Sequence, residues 1–351
     1  MKITHVEVWR QEFRLRTSYA VAYGAFDSAG VVFVRIHTSR GKSGLGCAAP
    51  DPHVTGETAE EVETALKDSA VALLRGRDPL RMERRMEQIA KPLASFPSAR
   101  AAVDMALYDV LGIVADLPVY KLIGGYRQSI KTSVTIGILP EDETVRAATE
   151  FQRQGFRALK VKGGLDAESD ASRVRAVRAA VGPAMEIRFD ANQGYTSDQT
   201  VTFVDLTRDA HVAVIEQPTP GGELELLGRV TRRVSIPVMA DESLMTLRDA
   251  FRLARRGLVD MVNVKLMKVG GLGEALLVNA VARAADVPVM VGCMDEPAIS
   301  IAAGLHYALA RPNVAYADLD GHLDIIDDPT AGAVLLRDGM LFPSGRPGLG
   351  G

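Results

Sequence analysis

The sequence predicts an α/β protein: a (β/α) barrel, a modified TIM barrel of the (β/α)7β-like kind, with an α+β capping domain at its N-terminus. Three observations predict it. After Tyr126 the chain turns into eight short, nearly continuous apolar runs, each but the last trailed by a helical stretch, the pattern of buried parallel strands and their crossovers. Eight such units in roughly 200 residues suit a closed barrel better than an open sheet. Lysines and carboxylates also recur at the ends of successive runs, at nearly constant spacing.

The cap is expected over residues 1–125. Val6 to Arg10 and Val31 to Thr38 read as strands, and Gly41 to Gly46 as a turn, which together make an antiparallel meander. From Thr58 the pattern is helical. In SARAAVDMALYDVLGIVADLP the residues Val103, Ala106, Leu107, Val110, Leu111 and Val114 keep to one helix face, before Pro118 and Gly124-Gly125 end the region. The barrel is expected over 126–325, its strands in KTSVTIGIL, RALKVKGG, MEIRFDAN, VAVIEQP, IPVMADES, MVNVKLMK, VPVMVGCMD and VAYADLDG. Residues 326–351 should form a hairpin around Asp338-Gly339 and return to the cap.

Composition narrows the function. With 41 basic and 44 acidic residues and a net charge of −3 spread along the chain, no basic stripe exists to bind nucleic acid. No apolar run approaches a membrane span and MKITHVEVWRQEF lacks the apolar block of a signal peptide, so a cytoplasmic enzyme is expected. Cys47 and Cys293 have no metal-type spacing and are read as buried free thiols.

In a barrel of this kind the active site lies at the C-terminal ends of the strands. Lys160 and Lys162 end the second run, Asp190 the third, Glu216 the fourth, Asp241 the fifth and Lys265 the sixth, at intervals of 28, 26, 25 and 24 residues from Lys162 onward. One such Asp is more often a cap or turn residue; a whole series in register is not explained by capping. Three carboxylates without histidine or cysteine make an all-oxygen site for a hard cation, Mg2+, one per subunit, with Mn2+ as the alternative. Pairing each acid with a lysine leaves too few partners, because the lysines are needed on either side of the site. A proton beside a carboxylate is very weakly acidic, and its removal needs the developing enediolate charge stabilised and a base held close. Lys162 is the expected base, with Lys160 as a like-charged neighbour lowering its basicity, and Lys265 lies half-way round the ring on the opposite substrate face. Lys268 reads as a loop or helix-start residue. Asn192 and Glu242 are read as groups that orient the metal ligands, or else as loop polar groups.

The segments KVKGG, RFDANQGY, VIEQP, ADES and VNVKLMKVGG, with the helical SARAAVDMALYDVLG, GGYRQ and the closing RPGLG, resemble the enolase superfamily, and within it the muconate lactonizing enzyme subgroup. The resemblance implies a lysine base working with Mg2+. The mandelate racemase-like pattern fits less well, since VGCMDEP supplies no histidine near the seventh strand end. Asp318 and Asp320, two apart in ADLDGHLD, point the same way and resemble the Asp-x-Asp motif by which dipeptide epimerases hold an α-ammonium; a polar turn is the alternative. TSYAVAYGAFDS and CAAPDPHVTGET resemble two capping loops, so Tyr19, Tyr23 and Phe26 become candidate substrate contacts, as do Met294 and Glu296 after the seventh strand. No arginine lies between Thr17 and Phe26, although Arg14 and Arg16 flank that loop, which leaves acidic, hydrophobic and other dipeptides open.

The expected activity is therefore a Mg2+-dependent dipeptide epimerase inverting the α-carbon of the C-terminal residue between Lys162 and Lys265. An N-acyl amino acid racemase, a cycloisomerase or an o-succinylbenzoate synthase-like member is the alternative on the same fold, and a non-catalytic binding barrel the alternative from another class. Homo-oligomers are expected by family resemblance.

Overall fold

The computed structural model describes residues 1–22 and 24–351. Strands β1 (Ile3–Val21) and β2 (Gly24–Thr38) form one long antiparallel hairpin, and β3 (Ser43–Ala48) completes a meander in the order β1-β2-β3. The first two strands run further than their apolar centres suggest. Residues 17–21 and 24–28 of TSYAVAYGAFDS belong to these strands rather than to a loop, with Tyr19 opposite Phe26 and a register shift between Arg14 and Tyr19. Along β2 the side chains divide by parity: Val31 and Phe33 join the core shared with the barrel, Val32, Val34 and Ile36 the core of the cap.

The helix Pro97–Ala115 lies between these two cores. Its pattern predicts one buried face; it is instead buried on several, with Ala101 and Met105 in the barrel-side core and Ala102, Val103, Ala106 and Val110 in the cap core. The helix approaches β3 so closely that a Cβ on Gly46 would collide with the Ala102 carbonyl.

Among the described residues the barrel is built from eight parallel strands, β5 (Val134–Ile136), β6 (Ala158–Lys162), β7 (Glu186–Asp190), β8 (Val212–Glu216), β9 (Val238–Ala240), β10 (Met261–Lys265), β11 (Val289–Gly292) and β12 (Val314–Ala317), in sequence order. Each lies within one of the expected runs. The first and last strands meet just before β5, where Thr132 bridges Ala317 in parallel and Ser133 N donates to Ala317 O at 3.1 Å. Helices cross over between successive strands, and three of them start on side-chain caps, Asp166 and the Thr196–Gln199 and Thr246–Asp249 boxes. No helix follows β12 as an eighth crossover among the described residues. At the floor of the barrel Val214, Met239, Met261 and Met290 pack together with Tyr316.

After β12 the chain makes the hairpin β13 (Val334–Arg337) and β14 (Met340–Pro343). Asp338 and Gly339 both have positive φ, 50° and 70°, which matches the twist of a two-residue hairpin turn. Strand β14 pairs with Ile130–Lys131, which is β4. Beyond it Gly348 exchanges backbone hydrogen bonds with Leu117 and Val119, and Leu349 N donates to Asp109 Oδ1 at 2.7 Å. No described helix is long and apolar enough to cross a membrane.

Candidate active site

Parallel register brings the strand ends to one level. Lys162 lies beside Asp190 across β6 and β7, Asp190 beside Glu216 across β7 and β8, and Asp241 directly follows β9. Asp190, Glu216 and Asp241 are buried, and each offers a carboxylate oxygen within 4.8 Å of the others. Lys162 on β6 and Lys265 on β10 stand four strands apart in a ring of eight, on opposite sides of the mouth.

The lysines meet the acids directly. Lys160 Nζ lies 3.0 Å from Asp190 Oδ2, 2.8 Å from Glu216 Oε2 and 2.9 Å from Asp318 Oδ2, while Lys162 Nζ lies 2.8 Å from the same Asp190 oxygen. Burial alone would discharge Lys160, but Asp190, Asp318 and Glu216 reverse this and hold it well above the ordinary lysine range. Lys160, expected as a like-charged neighbour of Lys162, has its charge shared by three carboxylates in the structure. Lys265 Nζ is 2.8 Å from Asp241 Oδ2 and is likewise held protonated against burial. Burial opposes ionisation of Asp190, and Lys160 and Lys162 overcome it, taking the carboxyl down to about 2. Glu216, which burial and the Asp190 charge both push up, reaches about 7.

Lys268, expected as a loop or helix-start residue, does stand in a short helix but is also part of the site. It follows β10 in the one-turn helix Leu266–Val269, which folds it under the site, fully buried, with Nζ on the Asp241 carboxylate, on Asp241 O and, at 3.1 Å, on Asn263 O. Each acid has a lysine partner, contrary to the expected shortage, because Lys160 reaches both Asp190 and Glu216 while Lys265 takes Asp241, where Lys268 is a second partner. Asn263, also missed, donates Nδ2 to Glu216 Oε1 at 2.6 Å. Its signal was present: it shares the inward face of β10 with Lys265, two residues on. Gln217 Oε1 accepts from Asp241 N and Ser243 N at 2.9 and 3.0 Å, bracing the turn after β9.

Asn192 N donates to Asp190 Oδ1 at 2.9 Å, while its own buried Oδ1 has no hydrogen-bond partner. Glu242, raised to about 8 by burial and then by Asp241 and Asp190, keeps Oε2 unpartnered. These free oxygens beside an all-oxygen triad fit a hard, hydrated cation such as Mg2+.

Across the mouth, Asp318 and Asp320 both line a cavity of about 740 Å³ that also contains Lys160, Lys162 and Lys265. Asp318 Oδ1 accepts from Ser133 Oγ and Asp320 Oδ2 from Thr135 N, both at 2.6 Å. Tyr19, Phe26 and Met294 line the same cavity; Tyr19 OH donates to Asp295 Oδ2 at 2.7 Å and its ring stacks on Phe26. Tyr23 lies outside the described residues. Glu296 is absent from the cavity wall: Oε1 accepts from Met294 N at 2.9 Å and Oε2 takes the Ser300 hydroxyl, so it braces the loop after β11. Cys293, expected in the core, lines the cavity with Sγ 3.8 Å from Asp320 Oδ1, whereas Cys47 is fully buried.

Residues 143–351 match the enolase C-terminal domain-like family and residues 3–124 the mandelate racemase / muconate lactonizing enzyme N-terminal domain. The chain belongs to the enolase superfamily. This superfamily member is 40% identical to an L-Lys-D/L-Arg epimerase of Methylococcus capsulatus, over all of its own length and 99% of the relative's. Its structure is similar to a dipeptide epimerase of Enterococcus faecalis complexed with Mg and L-Leu-L-Tyr, at TM-score 0.97 and 37% identity, covering 100% of this chain and 99% of that one. It is also similar to the substrate-liganded L-Ala-D/L-Glu epimerase of Bacillus subtilis, at TM-score 0.96 and 34% identity over 99% and 98% of the two chains. Among such racemases and epimerases the protein is an isomerase, and the Mg of its relatives agrees with the acidic triad found here.

Proposed function

We propose that this protein is a Mg2+-dependent dipeptide epimerase that inverts the α-carbon of the C-terminal residue. The observation that carries the proposal is the pair Lys162 and Lys265, facing one another across the mouth with the acidic triad between them and Asp318 and Asp320 in the same cavity. Asp190, Glu216 and Asp241 would hold the ion. When bound, it supplies the positive charge that makes the carbon next to a substrate carboxylate acidic.

The chain's own residues do the rest. Lys162 takes the α-proton from one face and Lys265 returns one to the other; the reverse reaction exchanges the roles. Lys160 presents positive charge where negative charge develops. Asp318 and Asp320 receive the free ammonium of the N-terminal residue, two acceptors for a three-donor group.

Among side chains, a basic N-terminal residue is the reading we favour. Asp51, Asp295 and Asp324 line the cavity, and burial, then Asp324 and Asp51, raise Asp295 to about 6 despite the Tyr19 hydroxyl. A similar structure, from M. capsulatus, holds L-Arg-D-Lys. Arg16 also lines the cavity, beside Asp324, and would weaken this preference.

The test is incubation with Mg2+ in D2O against pools of free dipeptides, N-acetylated dipeptides and N-acyl amino acids, with α-deuterium read by mass spectrometry. Uptake by free dipeptides, greatest for those beginning with Lys or Arg, is the expected result. Uptake only by acylated compounds would replace the dipeptide reading with an N-acyl racemase.

A further inference from the structure

Asp318 is held by a polar column that rises through the barrel floor. On β7, Arg188 is 1% exposed; its guanidinium lies 4.3 Å from the centre of the Tyr316 ring, and its Nε donates to Glu186 Oε1 at 2.7 Å. Glu186 in turn takes Lys131 Nζ at 2.6 Å on its other oxygen. From the same guanidinium Nη1 donates to Ala317 O at 2.9 Å and to Ser133 Oγ at 3.2 Å. Ser133, fully buried, then donates to Asp318 Oδ1 at 2.6 Å.

The order of donors in this column has only one solution. A guanidinium has no acceptor, so the Ser133 oxygen must accept from Arg188, and its single proton is left for another group. Ala317 O at 3.4 Å competes with the Asp318 carboxylate at 2.6 Å; the short bond to the charged acceptor wins. Oδ1 of Asp318 is thereby tied to the barrel wall, which leaves Oδ2 directed to Lys160 at 2.9 Å. Two positions further along, Thr135 N pins Asp320 in the same way.

We propose that Ser133 is a positioning residue that orients Asp318 for the substrate's ammonium, with its own hydroxyl direction set by Arg188. The proposal rests on the dipeptide reading, in which Asp318 binds that ammonium. Ser133 touches no reacting atom, so its loss acts on substrate binding. Ser133→Ala should raise KM for a free dipeptide about tenfold, the value of one hydrogen bond to a charged group, with kcat within about twofold.

The experiment is a double-mutant cycle of Ser133→Ala with Asp318→Asn, scored by KM and kcat for epimerisation, with Ser133→Thr as the hydroxyl-restoring variant. Thermal unfolding and calorimetric Mg2+ binding verify that each variant keeps its fold and metal site. The expected result is a raised KM in Ser133→Ala, recovery in Ser133→Thr, and little further effect of Ser133→Ala when Asp318→Asn is already present. A KM increase of the same size with and without Asp318→Asn overturns the proposal, as does an unchanged KM in Ser133→Ala. If Asp318→Asn itself leaves KM unchanged, the ammonium assignment fails and the proposal with it; a raised KM there beside a normal Ser133→Ala removes Ser133 alone.

Discussion

The floor and the roof of the substrate cavity are built by opposite means. On the floor, Lys160, Lys162, Asp190, Glu216 and Lys265 all stand on paired parallel strands, so each is placed by a ladder whose register aligns it with its neighbours. The roof consists of Tyr19 and Phe26 at the end of the β1–β2 hairpin, with Asp51 in the segment after β3, and it meets the barrel outside any ladder of parallel strands, through Tyr19 OH on Asp295 and single backbone bonds such as Ile138 N to Ala20 O at 2.8 Å and Arg16 N to Asp324 O at 2.7 Å. A ladder holds a side chain within the tolerance that proton transfer needs, and a docked hairpin end can vary without disturbing it. Under the proposed function, this difference assigns the chemistry to the floor and the selectivity to the roof.

The largest expected effect is on the floor. Lys162→Ala and Lys265→Ala should each lower epimerisation by at least about 10³-fold, general acid–base catalysis being worth about 10²–10⁴ for each group, while one of them still exchanges the α-proton of a single substrate hand. Deuterium wash-in with each stereoisomer checks this, and full epimerisation by either variant ends the two-base scheme. Just beneath, Lys268→Met leaves the buried Asp241 carboxylate without one of its partners and should weaken Mg2+ binding by about 10–100-fold, measured by calorimetry. Unaltered affinity would make Lys268 a packing residue only.

At the boundary between floor and roof, Asp320→Asn should raise KM for free dipeptides about tenfold with a smaller change in kcat. In the roof, Tyr19→Phe removes the hydroxyl from Asp295 and should change KM only a few-fold, and differently for basic and apolar dipeptides. A large fall in kcat in Tyr19→Phe would break the division, since a roof residue would then be serving the chemistry.

The smallest effect lies away from the cavity, at the seam between cap and barrel, where His306 Nδ1 accepts from Tyr120 N at 3.0 Å. Burial takes this imidazole down to about 3. The unfolded chain protonates it near the ordinary histidine value of 6.5, so between those values the unfolded state binds more protons, and stability falls as pH drops from about 6.5 towards 3, by up to about 1.4 kcal/mol per pH unit. The unfolding midpoint of the wild type should exceed that of His306→Gln by less at pH 5 than at pH 7. A gap independent of pH would mean that His306 does not stay neutral.

Legibility followed the same division. Floor residues showed in the sequence because a strand-plus-helix unit has a nearly constant length, so one structural place recurs at nearly even intervals, Lys162 to Lys265. Lys268 did not show, since nothing local says that a one-turn helix will fold it back beneath Asp241. Glu296 misled because a polar residue after a strand can face the cavity or turn into its own loop, and Ser300 one helical turn on drew it inward. In the roof, the aromatic pair was visible as residue types, while its hairpin geometry and its bond to Asp295 were not.

By itself the sequence determined the barrel, its eight strands and the level at which the acids and lysines converge, because side-chain alternation and unit length are local properties of the chain. Tertiary structure alone decided that Lys160 would join three carboxylates, that Arg188 would reach Ser133 through the floor, and that Asp51, Asp295 and Asp324 would share one cavity. Those groups come from segments up to 273 positions apart, as Asp51 and Asp324 are, and only the closing of the ring and the docking of the cap bring them together.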